Sequence, residues 1–206
     1  FKGNMGTNIV VRTEDGKLMV IQRDPDALIK PGAMSVPGGF PDTDKDLDDG
    51  IWNPFLTIER ETREETGIEK EELGGLTVSG VVINKQSAGP GIMFYGSTRL
   101  TSEEIKVRNG LSEDEKKEED IKIRFIDDDK TEIERAILWW AFSPSPSGAS
   151  ALALYGKNKF GDEWFDHLQK RLSYRNDRLY SKLTDLPADQ LKRFEGKPVE
   201  RLLRKK

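Results

Sequence analysis

Three glutamates lie close together in residues 60–68, which read RETREETGI. On a helix, the spacing i, i+3 and i+4 places Glu61, Glu64 and Glu65 on one face. Three carboxylates on one face repel one another unless a cation neutralises them, and a hard divalent ion such as Mg²⁺ prefers oxygen ligands. For an isolated string of this kind, a solvated helix with an Arg60–Glu64 ion pair is the commoner structure. The surroundings of the string therefore decide its interpretation.

The composition excludes several other kinds of chemistry. The 206 residues contain no cysteine and a single histidine, His167. Disulfide scaffolds, cysteine zinc sites, thiol nucleophiles and multi-histidine metal sites are therefore excluded. No run of 18 apolar residues exists, so the sequence predicts no membrane span, and the cytoplasm is the expected location.

The elements that position the glutamates follow from local signals. Asn53 is a good helix N-cap and Pro54 suits the first helical position, so a helix is expected to run to Thr66 and to end at Gly67. Its core face is expected to include Phe55, Ile58 and Thr62. The other predicted elements are a β-hairpin over 7–23, an acidic loop over 41–52, strands over 76–84, 92–100 and 121–126, an irregular acidic stretch over 102–120 with room for a short helix, and helices over 130–142, 162–172, 187–194 and 198–204.

The order of segments before and within the glutamate string resembles the Nudix hydrolase signature, G-x5-E-x7-R-E-U-x-E-E-x-G-U, where U is a bulky aliphatic residue. The matching segments are LMVIQR at 18–23, PG at 31–32, SVPGG at 35–39 and RETREETGI at 60–68. The resemblance covers about residues 6–142. It implies an α/β fold, a Nudix-type α/β/α sandwich with a mixed sheet.

The resemblance also implies an activity and a set of site residues. The activity is metal-dependent hydrolysis of a diphosphate linkage in a nucleoside diphosphate derivative, with Mg²⁺ as cofactor and Mn²⁺ as a plausible substitute. Glu64 and Glu65 are then metal ligands, Glu61 is a ligand or the base that activates water, the Gly38 carbonyl is a further ligand, and Arg60 orients the carboxylates. The alternative is a catalytically weak or inactive Nudix-like module that binds a nucleotide or RNA.

The sequence departs from the signature in the loop before the helix. Twenty residues separate Gly39 from Arg60, seven more than the signature has. Counted back from the helix start, the position of the signature glutamate falls on Trp52. The role of that glutamate is therefore either lost or passed to Asp48 or Asp49. Thr62 replaces the bulky aliphatic residue after the Arg-Glu pair. In many members of the family a further base or ligand comes from a later loop, and residues 113–120 are the obvious acidic source here, without preference for one of them. The commoner alternative for these residues is an acidic solvated loop.

The substrate within the class stays open. Marks that distinguish family subgroups, a proline and a tyrosine downstream of the signature, would fall on Ile83 and Lys85, so neither is present.

The predicted domain organisation is a Nudix domain over 1–142, a linker-like loop over 143–150 and a helical C-terminal extension over 151–206. Residues 171–206 carry eleven basic and five acidic side chains, in contrast to the twelve acidic and four basic ones of residues 41–72. This basic end either packs on its own domain or a second subunit, which makes a homodimer plausible, or contacts an anionic polymer. The interspersed acidic residues and the lack of an RNA-binding motif favour packing over nucleic acid. His167 is expected to be a surface or packing residue.

Overall fold

The computed structural model describes residues 5–23, 32–83, 89–111, 121–140 and 146–184. Its strands are β1 (Gly6–Arg12), β2 (Lys17–Arg23), β3 (Met34–Ser35), β4 (Leu47–Asp48), β5 (Ile51–Trp52), β6 (Leu73–Ile83), β7 (Pro90–Thr98) and β8 (Ile121–Asp127). Its α-helices are α1 (Pro54–Thr66), α2 (Ser102–Leu111), α3 (Lys130–Trp140), α4 (Ser147–Phe160) and α5 (Asp162–Thr184).

The main sheet has six strands and is mixed. Its order is β3-β2-β1-β7-β6, with β8 paired to β2. Strands β1 and β7 run parallel, with Ile9 opposite Phe94, whereas the other pairs are antiparallel. The short strands β4 and β5 form a separate hairpin.

Helices cover both faces of this sheet, because its central strands bury side chains on both sides. On one face, Ile9 and Phe94 pack with Ile58 of α1 and Ile105 of α2. On the other face, buried side chains of the sheet pack with α3, α4 and α5: Val10, Leu18, Val20, Met93, Ile133, Ile137, Leu152, Trp164 and Leu168. The predicted α/β/α sandwich with a mixed sheet is confirmed.

Helix α1 has the predicted bounds. The Asn53 side chain accepts a hydrogen bond from the Phe55 N–H, and Gly67 ends the helix with φ +71°. Such a left-handed conformation favours glycine. Ile58 and Thr62 are buried as predicted, but Phe55 is wrong as a core residue, since it is 39% exposed and touches the core only through an edge-on ring contact with Phe94.

Two acidic segments contain regular structure, which the sequence predicted only as a short helix in the second of them. Residues 47–52, expected to be loop, contain the β4–β5 hairpin, and residues 102–111 form helix α2. Thr101 and Glu104 cap this helix reciprocally, and the Asp15 carboxylate accepts hydrogen bonds from the N–H and hydroxyl of Ser102. These contacts satisfy N–H groups that a helix leaves free at its start.

Helix α4 packs directly on the sheet. Residues 147–150, predicted as part of a loop, form its first turn, and Gly148 lies so close to Ser35 that an added Cβ would be 2.7 Å from the Ser35 Cα. Asp128 anchors the helix further by accepting hydrogen bonds from Arg12 and Tyr155. The division into domains stays a prediction, but α4 shares one hydrophobic core with the strands.

Helix α5 continues to Thr184, well past the predicted end at Leu172. The helices predicted over 187–194 and 198–204 lie outside the described residues. In the part of the chain that the structure describes, no helix combines the length and apolar composition needed to cross a membrane.

Candidate functional site

The Pro-Gly-Gly segment forms the floor of the site because it pairs with β1. The Thr7 N–H donates to the Gly39 carbonyl at 2.8 Å, and the Ile9 N–H donates to the Pro37 carbonyl at 2.9 Å. Between them, Gly38 has φ +154°, and an added Cβ would lie 2.1 Å from the backbone oxygen of Thr7. A side chain at position 38 would therefore separate this segment from the sheet.

Helix α1 brings two of its glutamates against these glycines. The Gly38 N–H donates to Oε2 of Glu65 at 2.9 Å. A Cβ on Gly39 would lie 2.2 Å from the carboxyl carbon of Glu61, so this carboxylate occupies the space that the glycine leaves. The helix is held in this orientation by its buried side, Ile58, Thr62 and Thr66.

Arg60 connects the carboxylates to one another. Its Nη1 lies 3.0 Å from Oε1 of Glu61 and 2.9 Å from Oε2 of Glu64. Its Nε and Nη2 donate to the two carboxylate oxygens of Asp46 at 3.0 and 2.9 Å, and Nη2 also donates to the Phe40 carbonyl at 3.0 Å. These anionic partners, with Asp46 first, raise the pKa of Arg60, so the guanidinium stays charged.

Asp46 is a residue of the site that the sequence interpretation missed. It is 1% exposed, its side chain accepts the Asp42 N–H at 2.9 Å, and its carbonyl accepts the Asn53 N–H at 2.9 Å. Burial raises its pKa, but the hydrogen bonds from Arg60 and the Asp42 backbone outweigh burial, so the pKa is lowered. Asp46 is therefore a buried anion that is stabilised by Arg60.

Asp48 and Asp49, the two residues predicted to replace the glutamate of the signature, are exposed. The signature glutamate follows its glycine by six residues, and six residues after Gly39 is Lys45, directly before Asp46. Counting forward from Gly39, not backward from the helix, leads to the residue next to Asp46. The extra residues then lie mainly after Asp46, where they form the β4–β5 hairpin.

The three glutamates differ in environment. The Glu61 side chain is 16% exposed, whereas that of Glu64 is 42% exposed. Burial is the largest influence on Glu61 and raises its pKa, against the opposing effect of Arg60. A cation bound close to this carboxylate would stabilise its charged form.

Residues 113–120, the candidate source of a further acidic ligand or base, lie outside the described residues. The His167 side chain is exposed, and its Nε2 lies 3.9 Å from Oε1 of Glu134 on α3. Within the described ranges, no three or more acidic, histidine or cysteine side chains form a group that could hold a metal ion.

Comparison with solved structures finds likenesses of fold at low identity. A NUDIX hydrolase from Nitrosomonas europaea is 16% identical, with 77% of this chain and 91% of that chain covered and a TM-score of 0.49. A mutT/nudix family protein from Listeria innocua is 16% identical over 86% of this chain and 96% of that chain, with a TM-score of 0.44. A protein from Deinococcus radiodurans is 14% identical over 73% of this chain and 80% of that chain, with a TM-score of 0.45.

No family model matches the sequence, and comparison with curated proteins gives no significant match. The proteins from Nitrosomonas europaea and Listeria innocua are Nudix proteins by description, with identities below 25% and TM-scores below 0.5. This similarity concerns the fold alone and assigns no activity, substrate or metal.

Proposed function

We propose that the protein is a metal-dependent hydrolase that cleaves a diphosphate linkage in a nucleoside diphosphate derivative. The observation that carries the proposal is the seating of helix α1 on the Pro-Gly-Gly segment. Glu65 accepts the Gly38 N–H and Glu61 fills the space beside Gly39, so the glutamates of the signature lie against its glycines. Two segments that are more than twenty residues apart are thereby joined into one site.

The site offers donor atoms of the kind that a hard divalent cation prefers, although its carboxylates are not gathered into a metal-binding group in the described residues. Glu61, Glu64 and Glu65 offer carboxylate oxygens, and the Gly38 carbonyl offers a further oxygen, which are the ligands that Mg²⁺ and Mn²⁺ prefer. Such an ion would neutralise charge on phosphate oxygens and lower the pKa of a bound water. The partly buried carboxylate of Glu61 supports this proposal, since burial raises its pKa more than Arg60 lowers it.

The residues of the chain have separate tasks in this proposal. Arg60 holds the carboxylates of Glu61 and Glu64 in place, and Asp46 holds Arg60. Glu61 is either a ligand or the base that accepts a proton from the attacking water, and its partly buried position suits both tasks.

A panel of nucleoside diphosphate derivatives and dinucleotides tests this proposal. Hydrolysis is followed by separation of the nucleotide products, with Mg²⁺, with Mn²⁺ and with a chelator in excess. We expect turnover of at least one compound that depends on the divalent ion. Turnover that persists in the chelator, or no turnover of any compound with either metal, would contradict it.

The second candidate is a module that binds a nucleotide or RNA without hydrolysing it. The observation that favours it is the pairing of Arg60 with both Glu61 and Glu64, which engages two of the three proposed ligands. Calorimetric titration of the same panel distinguishes the two candidates. Binding without product formation would favour the module.

The expected cytoplasmic location and the packing of the basic end stay predictions. Most of residues 171–206 lie outside the described residues, so the choice between packing and an anionic polymer is a matter for experiment. Binding of labelled single-stranded RNA at two salt concentrations decides it, because phosphate contacts give a steep salt dependence.

A further inference from the structure

Strand β6 forms one edge of the main sheet. It is the last strand in the sheet order, and among the described residues its only strand partner is β7. The backbone groups on its other side therefore face no described strand. Exposed edges of this kind are templates for pairing with another strand, and proteins commonly block them with charged side chains or proline.

The strands at the two edges of this sheet differ in their content of charged residues. Strand β6 reads LGGLTVSGVVI and contains neither a charged residue nor a proline in eleven positions. Strand β8, at the opposite edge, reads IKIRFID and carries Lys122, Arg124 and Asp127. As far as the described residues show, the edge formed by β6 is thus open to strand pairing, whereas the charges of β8 oppose it.

The regular part of the open edge is short and apolar. The register between β6 and β7 shifts between Val78 and Gly80, and residues 80–83 then pair regularly with residues 93–90. Val81 is 63% exposed and Ile83 is 71% exposed, and their alternate positions place them on one face of the sheet. Two large apolar side chains are therefore exposed side by side along the open edge.

We propose that this edge is a dimer interface, at which residues 81–83 of two copies of the chain pair antiparallel. A two-fold axis perpendicular to the sheet at Val82 places each Val82 opposite the Val82 of the second copy. The same register places Val81 of each copy opposite Ile83 of the other. Both exposed apolar side chains are then covered, and no like charges meet across the interface.

A second copy is the occupant that this edge fits best. Antiparallel pairing about a two-fold axis is self-complementary, so one patch serves both partners. The edge carries no charged residue, so it offers no ion pair to a charged partner strand. For the same reason, two identical copies do not repel each other electrostatically at this edge. The pairing does not depend on the proposed hydrolase activity.

A single cysteine at the axis tests the register directly. The chain contains no cysteine, so Val82→Cys introduces one thiol per copy. Directly opposite residues in an antiparallel pair have Cα atoms about 4.5–5.5 Å apart, which is within the range of a disulfide. With oxidised glutathione as oxidant, we expect this variant to form a covalent dimer, and Val107→Cys on exposed α2 to form one at least about tenfold more slowly. Equal rates for the two variants would overturn the proposal.

A charge at the edge tests the affinity. Val81→Lys places like charges close to the axis, and the exposed side chain at this position makes the change tolerable in the monomer. Sedimentation across a wide range of protein concentration is expected to show a dimer for the parent and for Val107→Lys, and an association constant at least about tenfold lower for Val81→Lys. A parent protein that stays monomeric, or a Val81→Lys variant that associates like the parent, would overturn the proposal.

Discussion

Arg60 and Asp46 are joined through two parallel hydrogen bonds of 3.0 and 2.9 Å, although fourteen residues separate them. Asp46 precedes the β4–β5 hairpin, and Arg60 lies on the helix that carries the three glutamates. The pair therefore fixes the position of the hairpin relative to the proposed ligands. The planar guanidinium explains this geometry, since it presents two N–H groups side by side to a carboxylate.

Asp46→Ala should destabilise the protein strongly. The Arg60 side chain is 12% exposed, and removal of one partner of a buried ion pair costs about 3–5 kcal/mol. Asp48→Ala is the matched control, because Asp48 is exposed and a surface substitution changes stability by about 0.5 kcal/mol or less. Urea unfolding at neutral pH measures both. Similar losses in the two variants would contradict the assignment of Asp46.

The contribution of Asp46 should depend on pH. Its pKa is lowered in the folded protein, so the unfolded chain takes up the proton first as the pH falls. The stability that Asp46 contributes is thus fully present above its unfolded pKa of about 4 and is lost as the pH falls towards the lower folded value. The difference in unfolding free energy between the parent and Asp46→Asn should shrink between about pH 5 and pH 3. A difference in unfolding free energy that stays constant over this interval would contradict the prediction.

Glu64→Gln should remove activity and leave the fold intact. A neutral amide is a poor ligand for a hard cation. Mutation of a residue that only supports a metal ligand typically lowers activity about 10–100-fold, and we expect Glu64→Gln to lower it at least as much. The exposed ion pair with Arg60 contributes about 0.5 kcal/mol or less, so the melting temperature should change little. Glu103→Gln on α2, whose side chain is also exposed, is the control. Parent-like turnover of Glu64→Gln would remove Glu64 from the site.

Substitutions of the two glycines should have different effects. In Gly39→Ala the new Cβ meets the mobile end of the Glu61 side chain, so we expect lost activity with an unfolding free energy within about 1 kcal/mol of the parent. In Gly38→Ala it meets the backbone oxygen of Thr7, which cannot move alone, so a loss of about 3 kcal/mol is expected. Urea unfolding and turnover of both variants test this contrast. The predicted contrast is wrong if Gly39→Ala is less stable than Gly38→Ala.

Removal of the β4–β5 hairpin should change selectivity more than stability. The hydrogen bond from the Asn53 N–H to the Asp46 carbonyl closes the base of the hairpin, so residues 47–52 can be replaced by two glycines. The hydrogen bond from Trp52 Nε1 to Thr57 is lost, at a cost of about 1 kcal/mol. Relative rates across the nucleotide panel should change, because Asp46 at the base of the hairpin is bound to Arg60 of the site. Ile51→Ser in the intact hairpin is the control for side-chain chemistry alone, and an equal loss on every substrate would contradict a role in selectivity.

Local features of the chain were readable from the sequence. The cap at Asn53, the first-turn Pro54 and the terminal Gly67 act through contacts with near neighbours, and they predicted helix α1 to the residue. The spacing of Glu61, Glu64 and Glu65 likewise needs only the period of a helix. The signature as a whole predicted the sandwich architecture.

Tertiary structure decided which distant groups meet. Asp46, Asp48 and Asp49 are equivalent as local sequence, but only Asp46 is buried against Arg60, because the hairpin after it closes on Asn53. The same applies to residues 147–150, whose small side chains suggested a loop but which form the first turn of α4, where Gly148 packs against Ser35. A short-range pattern specifies the conformation of a segment, but the burial of a charge or a glycine depends on the surface that packs against it, and that surface comes from elsewhere in the chain.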